Sequence, residues 1–233
     1  MAEFIDREFG TIRVRHNLRA TSIKVRIGND GKLVVSAPKL TPQFYIKRVV
    51  SQSRGELRKL LAVSTPAISI YIDGQLIGKT HTLKVVHSNL SSTPRAQIVR
   101  GNVVVYLPDG FSIESPDVQS LIRPKVIAAL RVEARKLLPD RLAKWAQTGG
   151  FSYERVRFSH AAGRWGSCSS NGTISLNIAL MKLPETLIDY VLVHELCHTI
   201  EMNHSGRFWA LVERYDPLYK QHRKLIKQHT PAV

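Results

Sequence analysis

The stretch VLVHELCHTIEMNHSGRFW, residues 191–209, places titratable side chains where a packed helix wants leucine. Pro184 opens a helical segment in which Leu187, Tyr190 and Val191 share one stripe. At about 100° per residue, His194 and His198 fall on that same stripe, one turn apart. Ile188, Leu192, Val193 and Leu196 cover much of the remaining surface. A helix that is apolar nearly all round must be buried, so the fold has to hold two imidazoles and a carboxylate in its interior. Buried imidazoles need hydrogen bonds or a metal. The i, i+4 spacing lets both rings reach one ion, with Glu195 beside them. This is H-E-x-x-H, in which the histidines bind zinc and the glutamate works on the zinc-bound water. The plain alternative is a pair of satisfied core histidines, and it carries the cost of burying three polar groups without a metal.

A third ligand requires the helix to break. On a continuous helix His204 points about 120° away from His198. Asn203 tolerates the left-handed conformation that ends helices, and Ser205 can cap a new helix through GRFWALVERY. A turn at Asn203 therefore brings His204 back toward the metal. Glu201, on the His194/His198 stripe, and the more remote Glu213 are the rivals. His204 is preferred, because catalytic zinc commonly takes three protein ligands and leaves one site open. The spacing from His198 to His204 matches the metzincin pattern, but Glu201 stands at its glycine position and no methionine follows Met202 to form a Met-turn. The chain is therefore not read as a metzincin. Cys197 lies between the histidines in sequence yet points to the Tyr190 side, and it reads as a small hydrophobe, as does Cys168.

Two isolated cysteines make no disulfide framework and fit a reducing cytoplasm. No apolar run approaches the roughly 18–20 residues that a membrane span needs, and MAEFIDREFG lacks the look of a secretion signal. The expectation is a soluble cytoplasmic protein with no membrane partner. Its net charge of +16 is unevenly spread. Residues 1–61 carry 13 Lys/Arg against 5 Asp/Glu, a net of +8, while residues 151–233 carry 10 against 7. Such a surface attracts polyanions, with weak nucleic-acid binding one outcome and a merely solvated face the other. Phe44 and Tyr45 stand nearly alone among these cations, without the aromatic interleaving of a stacking platform.

Residues 11–37 alternate apolar with polar and read as strands, with GNDG at 28–31 as a turn. Thr41 and Pro42 open an amphipathic helix carrying Ile46, Val49, Val50, Leu57, Leu60 and Leu61 inward and cations outward. Residues 68–72, 75–86 and 97–107 read as strands, with a turn at 100–102. A long helix follows from about Val118 to Trp145 and ends at TGG, 148–150, where glycine can take a left-handed cap. Strand-like RVRFSH and TISLNIAL precede the histidine helix. The pattern changes around residues 107–117. The expected organisation is therefore α+β, with a basic, strand-rich region at 1–112 and a hydrolase domain at 113–233.

GRWGSCSSNGTISLN followed by LPETLIDYVLVHELCHTIEMNHSGRFW resembles the YgjP-like metallopeptidase family of metal-dependent hydrolases, relatives of the SprT-like and gluzincin peptidases. The match is dense from Arg164 to Trp209. The resemblance implies a zincin-like catalytic domain with one zinc per chain at His194, His198 and His204, and Glu195 as catalytic base. It also implies that the TISLN strand lies beside the active-site helix and pairs an extended substrate. In RWGSC, Gly166 reads as a tight turn and Trp165 as core. Arg164 or Asn177 is a candidate for holding a substrate carbonyl or anion. Tyr219, and less so Tyr215, could donate to a transition state. The sequence thus points to a zinc hydrolase acting on a peptide or a small anionic substrate. A metal-dependent phosphohydrolase is the enzymatic alternative, and a nucleic-acid-binding protein with a structural zinc is the other.

Overall fold

Alternating apolar and cationic residues build the first of three small sheets. A computed structural model describes residues 2–18, 20–27, 33–64 and 70–233, which divide into two compact units, Met1–Ser69 and Ile70–Val233. The first unit contains β1 (Ala2–Asp6), β2 (Gly10–Asn17), β3 (Lys24–Ile27) and β4 (Leu33–Pro38) in the order β1-β2-β4-β3. β2 and β4 run parallel, and the outer pairs are antiparallel. The turn expected at 28–31 lies outside the described residues. Phe4, Ile12, Val14, Leu33, Val35 and Ala37 point to one side of the sheet. They pack there with Ile46, Val50 and Leu57 of two helices, α1 (Gln43–Gln52) and α2 (Arg54–Ser64). The single amphipathic helix expected from Thr41 breaks at Ser53 and starts one residue later, with Pro42 at the N-cap. Arg54 of α2 returns to the β1–β2 turn, donating to Asp6 at 2.8 Å and to Glu8 at 2.6 Å.

The second unit begins with β5 (Thr82–His87), β6 (Arg95–Val99) and β7 (Asn102–Leu107) in the order β5-β7-β6. Arg100 and Gly101 both have positive φ, 45° and 77°, the conformation a two-residue hairpin turn needs. This sheet packs on α3 (Pro116–Gly149), which buries Val118, Ile122, Val126, Leu130, Ala134, Leu138, Leu142 and Ala146, one residue per turn. Leu83, Val103, Val105 and Leu107 join that core. Residues 70–112, read above as part of the N-terminal region, therefore belong with the second unit, because their inward face is covered by α3. Residues 70–72 form no strand, and 68–69 lie outside the described residues. Gly150, with φ of 66°, caps α3 as its sequence suggested.

Beyond α3 come β8 (Arg155–Ser159), β9 (Gly166–Cys168) and β10 (Thr173–Asn177), ordered β8-β10-β9. A 3₁₀ turn at Ile178–Lys182 leads into α4 (Glu185–Cys197), then α5 (Gly206–Tyr215) and α6 (Tyr219–Leu225). The architecture is a mixed α+β one. Among the described residues no helix is long and apolar enough to cross a membrane. α4 is fixed to α3 by Arg141, which pairs with both oxygens of Asp189, and by Trp145, whose Nε1 donates to Asp189 at 2.7 Å. Lys79 holds the other side of its N-terminus, donating to Leu183 O and pairing with Glu185 at 2.8 Å. The helix that carries the histidines is thus clamped before its functional turn begins.

Candidate metal centre

α4 buries Leu187, Ile188, Tyr190, Val191, Leu192, Val193, Leu196 and Cys197, so its register is set by apolar contact on nearly every side. That register places Glu195 (5% exposed) and His198 (9%) inside the protein. α4 ends at Cys197, with His198 as its C-cap still in the right-handed helical region, and Ile200 and Glu201 N–H both donate to Cys197 O. Ser205 then caps α5, accepting from Phe208 N at 3.3 Å. The reversal brings His204 Nε2 to 3.1 Å from His194 Nε2. One nitrogen from each of His194, His198 and His204 lies within 4.8 Å of the others, and among the described residues no other group of three could hold a metal.

The imidazoles are prepared as ligands. His198 Nδ1 donates to Glu201 O at 3.0 Å, which fixes the tautomer and leaves Nε2 with its lone pair. Burial, reinforced by His198 and His204, pushes His194 down to about 3, and burial lowers His198 as well. Both rings are therefore neutral near pH 7, as metal binding requires. Phe208 stacks on His198 at 4.4 Å and Trp209 on His204 at 5.5 Å, so the first turn of α5 walls the cluster. Arg223 of α6 sits 4.5 Å over the Trp209 ring. Three imidazole nitrogens form the donor set of a tetrahedral metal site with one position open.

Glu195 lies next to this cluster in an apolar setting. Burial pushes its carboxyl up to about 8, with Arg164 opposing the shift. Its Oε2 is buried and has no hydrogen-bond partner among the described residues, and neither has His194 Nδ1. The wall over Glu195 is the backbone of Gly166: a Cβ there would stand 2.6 Å from Oε1 and 2.7 Å from Cγ. Gly166→Ala is therefore expected to displace the carboxylate, keep the histidine cluster and cost about 1–3 kcal/mol in stability. Metal content, thermal melting and catalytic turnover measured on one preparation check this, with turnover falling more than tenfold.

The family described as YgjP-like, metallopeptidase domain, matches residues 21–229. The chain belongs to that family. As a YgjP-like metallopeptidase it is a metal-dependent hydrolase. It is similar to the metallopeptidase zymogen of Pyrococcus abyssi abylysin, at 27% identity over 40% of this chain and 94% of that one, with a TM-score of 0.37. It is also similar to the zymogen of Methanocaldococcus jannaschii jannalysin, at 20% identity over 38% and 92%, with a TM-score of 0.35. No curated protein matches.

In this YgjP-like metallopeptidase several residues stand elsewhere than their sequence suggested. Asn177, a candidate for holding substrate, has its amide engaged within the fold. It is fully buried, and its Nδ2 donates to Ala161 O at 2.7 Å and Arg164 O at 2.9 Å, while Oδ1 accepts from Ala179 N. It shapes the loop that carries Arg164. Gly166 is not in a turn but in β9, and β9, not the central TISLN strand β10, is the sheet edge packed against α4. Asn203 is not left-handed: among the described residues only Arg100 combines a side chain with positive φ. Glu201 lends a backbone carbonyl, and Glu213 pairs with Lys220 at 3.6 Å. Tyr219 is buried and stacks on the Trp209 ring at 5.4 Å, while Tyr215 donates to Gly149 O. Cys168 and Cys197 are both free. Phe208, Trp209 and Arg223 are site neighbours that the histidine motif does not announce. Their signal was the spacing of Phe208 and Trp209 four and five residues beyond His204.

Proposed function

We propose that the chain is a zinc peptidase with one ion held by His194, His198 and His204 and with Glu195 as its proton carrier. The observation that carries this reading is the convergence of three imidazole nitrogens beside a buried carboxylate whose Oε2 has no other partner among the described residues. When bound, zinc supplies Lewis acidity, lowering the proton affinity of a water and drawing electron density from a peptide carbonyl. Glu195 takes the water's proton on Oε2 and returns it to the departing amine. The metal's charge would pull the Glu195 carboxyl below the value that burial alone imposes, readying it as a base. Arg164, exposed and close enough to Glu195 to oppose its upward shift, is assigned to a substrate carbonyl or anion. An extended substrate would lie along β9, the free edge next to α4. Tyr219 acts by supporting Trp209. The packing of α4 on a small mixed sheet suits a zincin-like domain, and the free thiols suit a reducing compartment such as the cytoplasm.

His204→Ala is the direct test of the ligand set. The parent is expected to bind about one zinc per chain, and the variant to lose it or hold it at least a hundredfold more weakly. Metal analysis after dialysis against a graded chelator reads this without reference to activity. Unchanged occupancy would remove His204 from the site and with it the proposed mechanism.

A further inference from the structure

The outer face of the first sheet carries a lattice of cations that the peptidase reading leaves unused. Strand register defines it. Arg13 on β2, Val34 on β4 and Arg26 on β3 lie side by side, as do Arg15, Ser36 and Lys24. All six point away from the core, since Ile12, Val14, Leu33 and Val35 occupy the opposite face. Rows are therefore about 7 Å apart along the strands, and cations within a row about 10 Å apart across them. Val34 is only 3% exposed, consistent with the aliphatic stems of its two arginine neighbours lying over it. Arg15, Lys24 and Arg26 are exposed and form no ion pair among the described residues. Glu3, 4.0 Å from Arg13, is the one acidic group on this face among the described residues. Asp6 and Glu8 are turned to the helices, where Arg54 and Arg58 engage them.

The unit as a whole carries 13 Lys/Arg against 5 Asp/Glu in residues 1–69. Among the described residues Asp6 and Glu8 are turned to the helix side, while Arg13, Arg15, Lys24 and Arg26 share the outer face with Glu3. We infer that this sheet face is a docking surface for double-stranded nucleic acid, held through its phosphate backbone. Charge complementarity selects a polyanion. A duplex is favoured over a single strand because the face presents no aromatic side chain among the described residues, only Glu3, Ile5, Thr11, Asn17, Val34, Ser36 and Pro38 besides the cations. Single-strand binders draw much of their affinity from stacking. Contacts made through phosphates alone carry no sequence information, so binding would be indifferent to sequence.

The test uses the full-length protein and a short mixed-sequence DNA duplex, followed by fluorescence anisotropy across a salt series. Binding is expected at low salt and should weaken steeply as salt rises. Arg15→Gln/Lys24→Gln/Arg26→Gln should weaken it at least tenfold and flatten the log–log salt slope by roughly two to three, at about 0.9 per phosphate contact. Arg135→Gln/Lys136→Gln/Lys144→Gln, which removes equal charge from exposed positions of α3, should stay within about twofold of the parent. If the triple sheet variant melts abnormally, Lys24→Gln/Arg26→Gln on the edge strand replaces it. Equal losses in the sheet and α3 variants would overturn the inference, as would tighter binding of the single strand than of the duplex. Binding to phosphatidylserine vesicles without binding to the duplex would overturn it too, and would make the face a membrane surface.

Discussion

Glu195→Gln is expected to keep its metal and its fold while losing between about 10² and 10⁴ in turnover, the contribution of a positioned acid–base group. Glutamine preserves the shape of the side chain against Gly166 but cannot carry a proton from water to amine. The stability change has a definite sign in metal-free protein. Burial raises the Glu195 carboxyl from an ordinary 4.5 to about 8, against the opposing pull of Arg164. A raised carboxyl leaves stability intact below its unfolded value, and stability is lost as pH rises from there to the folded value. Near pH 7 the parent therefore bears a cost of a few kcal/mol that the amide does not. The metal-free variant should melt higher than the metal-free parent at pH 7 and equally at pH 4. A zinc-loaded variant that cleaves peptide at the parental rate would reduce the cluster to a structural staple.

The site was far more legible than the frame around it. His194, Glu195 and His198 could be read because they interrupt a helix that is otherwise apolar all round, an expensive arrangement that demands a reason. The return of His204 was legible as a need for a break, but not how the break is made. The chain turns at His198–Glu201 with ordinary dihedrals, and the sequence pointed to Asn203 because its side chain tolerates positive φ. β9 was hidden, since three residues are too few to show a period of two and a glycine reads first as a turn. Gly166 is required for what lies above it, a through-space fact with no local signature. The same holds for the parallel pairing of β2 with β4 and of β5 with β7, which only tertiary structure decides. The unit boundary was misplaced for that reason too, since strands 82–107 alternate much as the N-terminal ones do but face α3.

Glu133 is the clearest case of a contact that sequence could not reveal, and its removal carries the largest expected stability cost. In sequence it is one more charge on a long helix. In the fold it is 3% exposed and accepts from Lys79 N at 2.6 Å, Thr80 N at 2.9 Å, Thr80 Oγ1 at 2.9 Å, His81 N at 2.8 Å and His81 Nδ1 at 2.6 Å. A Cβ at Gly78 would run into the carboxylate, which is why the segment GKTH can close so tightly round it. Glu133→Ala strands these donors inside the protein and should cost about 3–5 kcal/mol. The loss should reach α4 as well, because Lys79 spans from this loop to Leu183 and Glu185. Burial alone would raise the Glu133 carboxyl, but the hydrogen bonds from Lys79, His81 and Thr80 outweigh it and hold it at about 2, against an ordinary 4.5. A depressed carboxyl gives its full stabilisation above the unfolded value and loses it as pH falls toward the folded one. At 1.36 kcal/mol per unit, that is about 3 kcal/mol, surrendered between roughly pH 4.5 and 2. Glu133→Gln cannot titrate, so its deficit in urea unfolding should be several kcal/mol at pH 7 and should shrink steadily below pH 4.5. Parent and variant curves that stay parallel down to pH 2.5 would show that the ionised carboxylate is not what holds the loop to the helix.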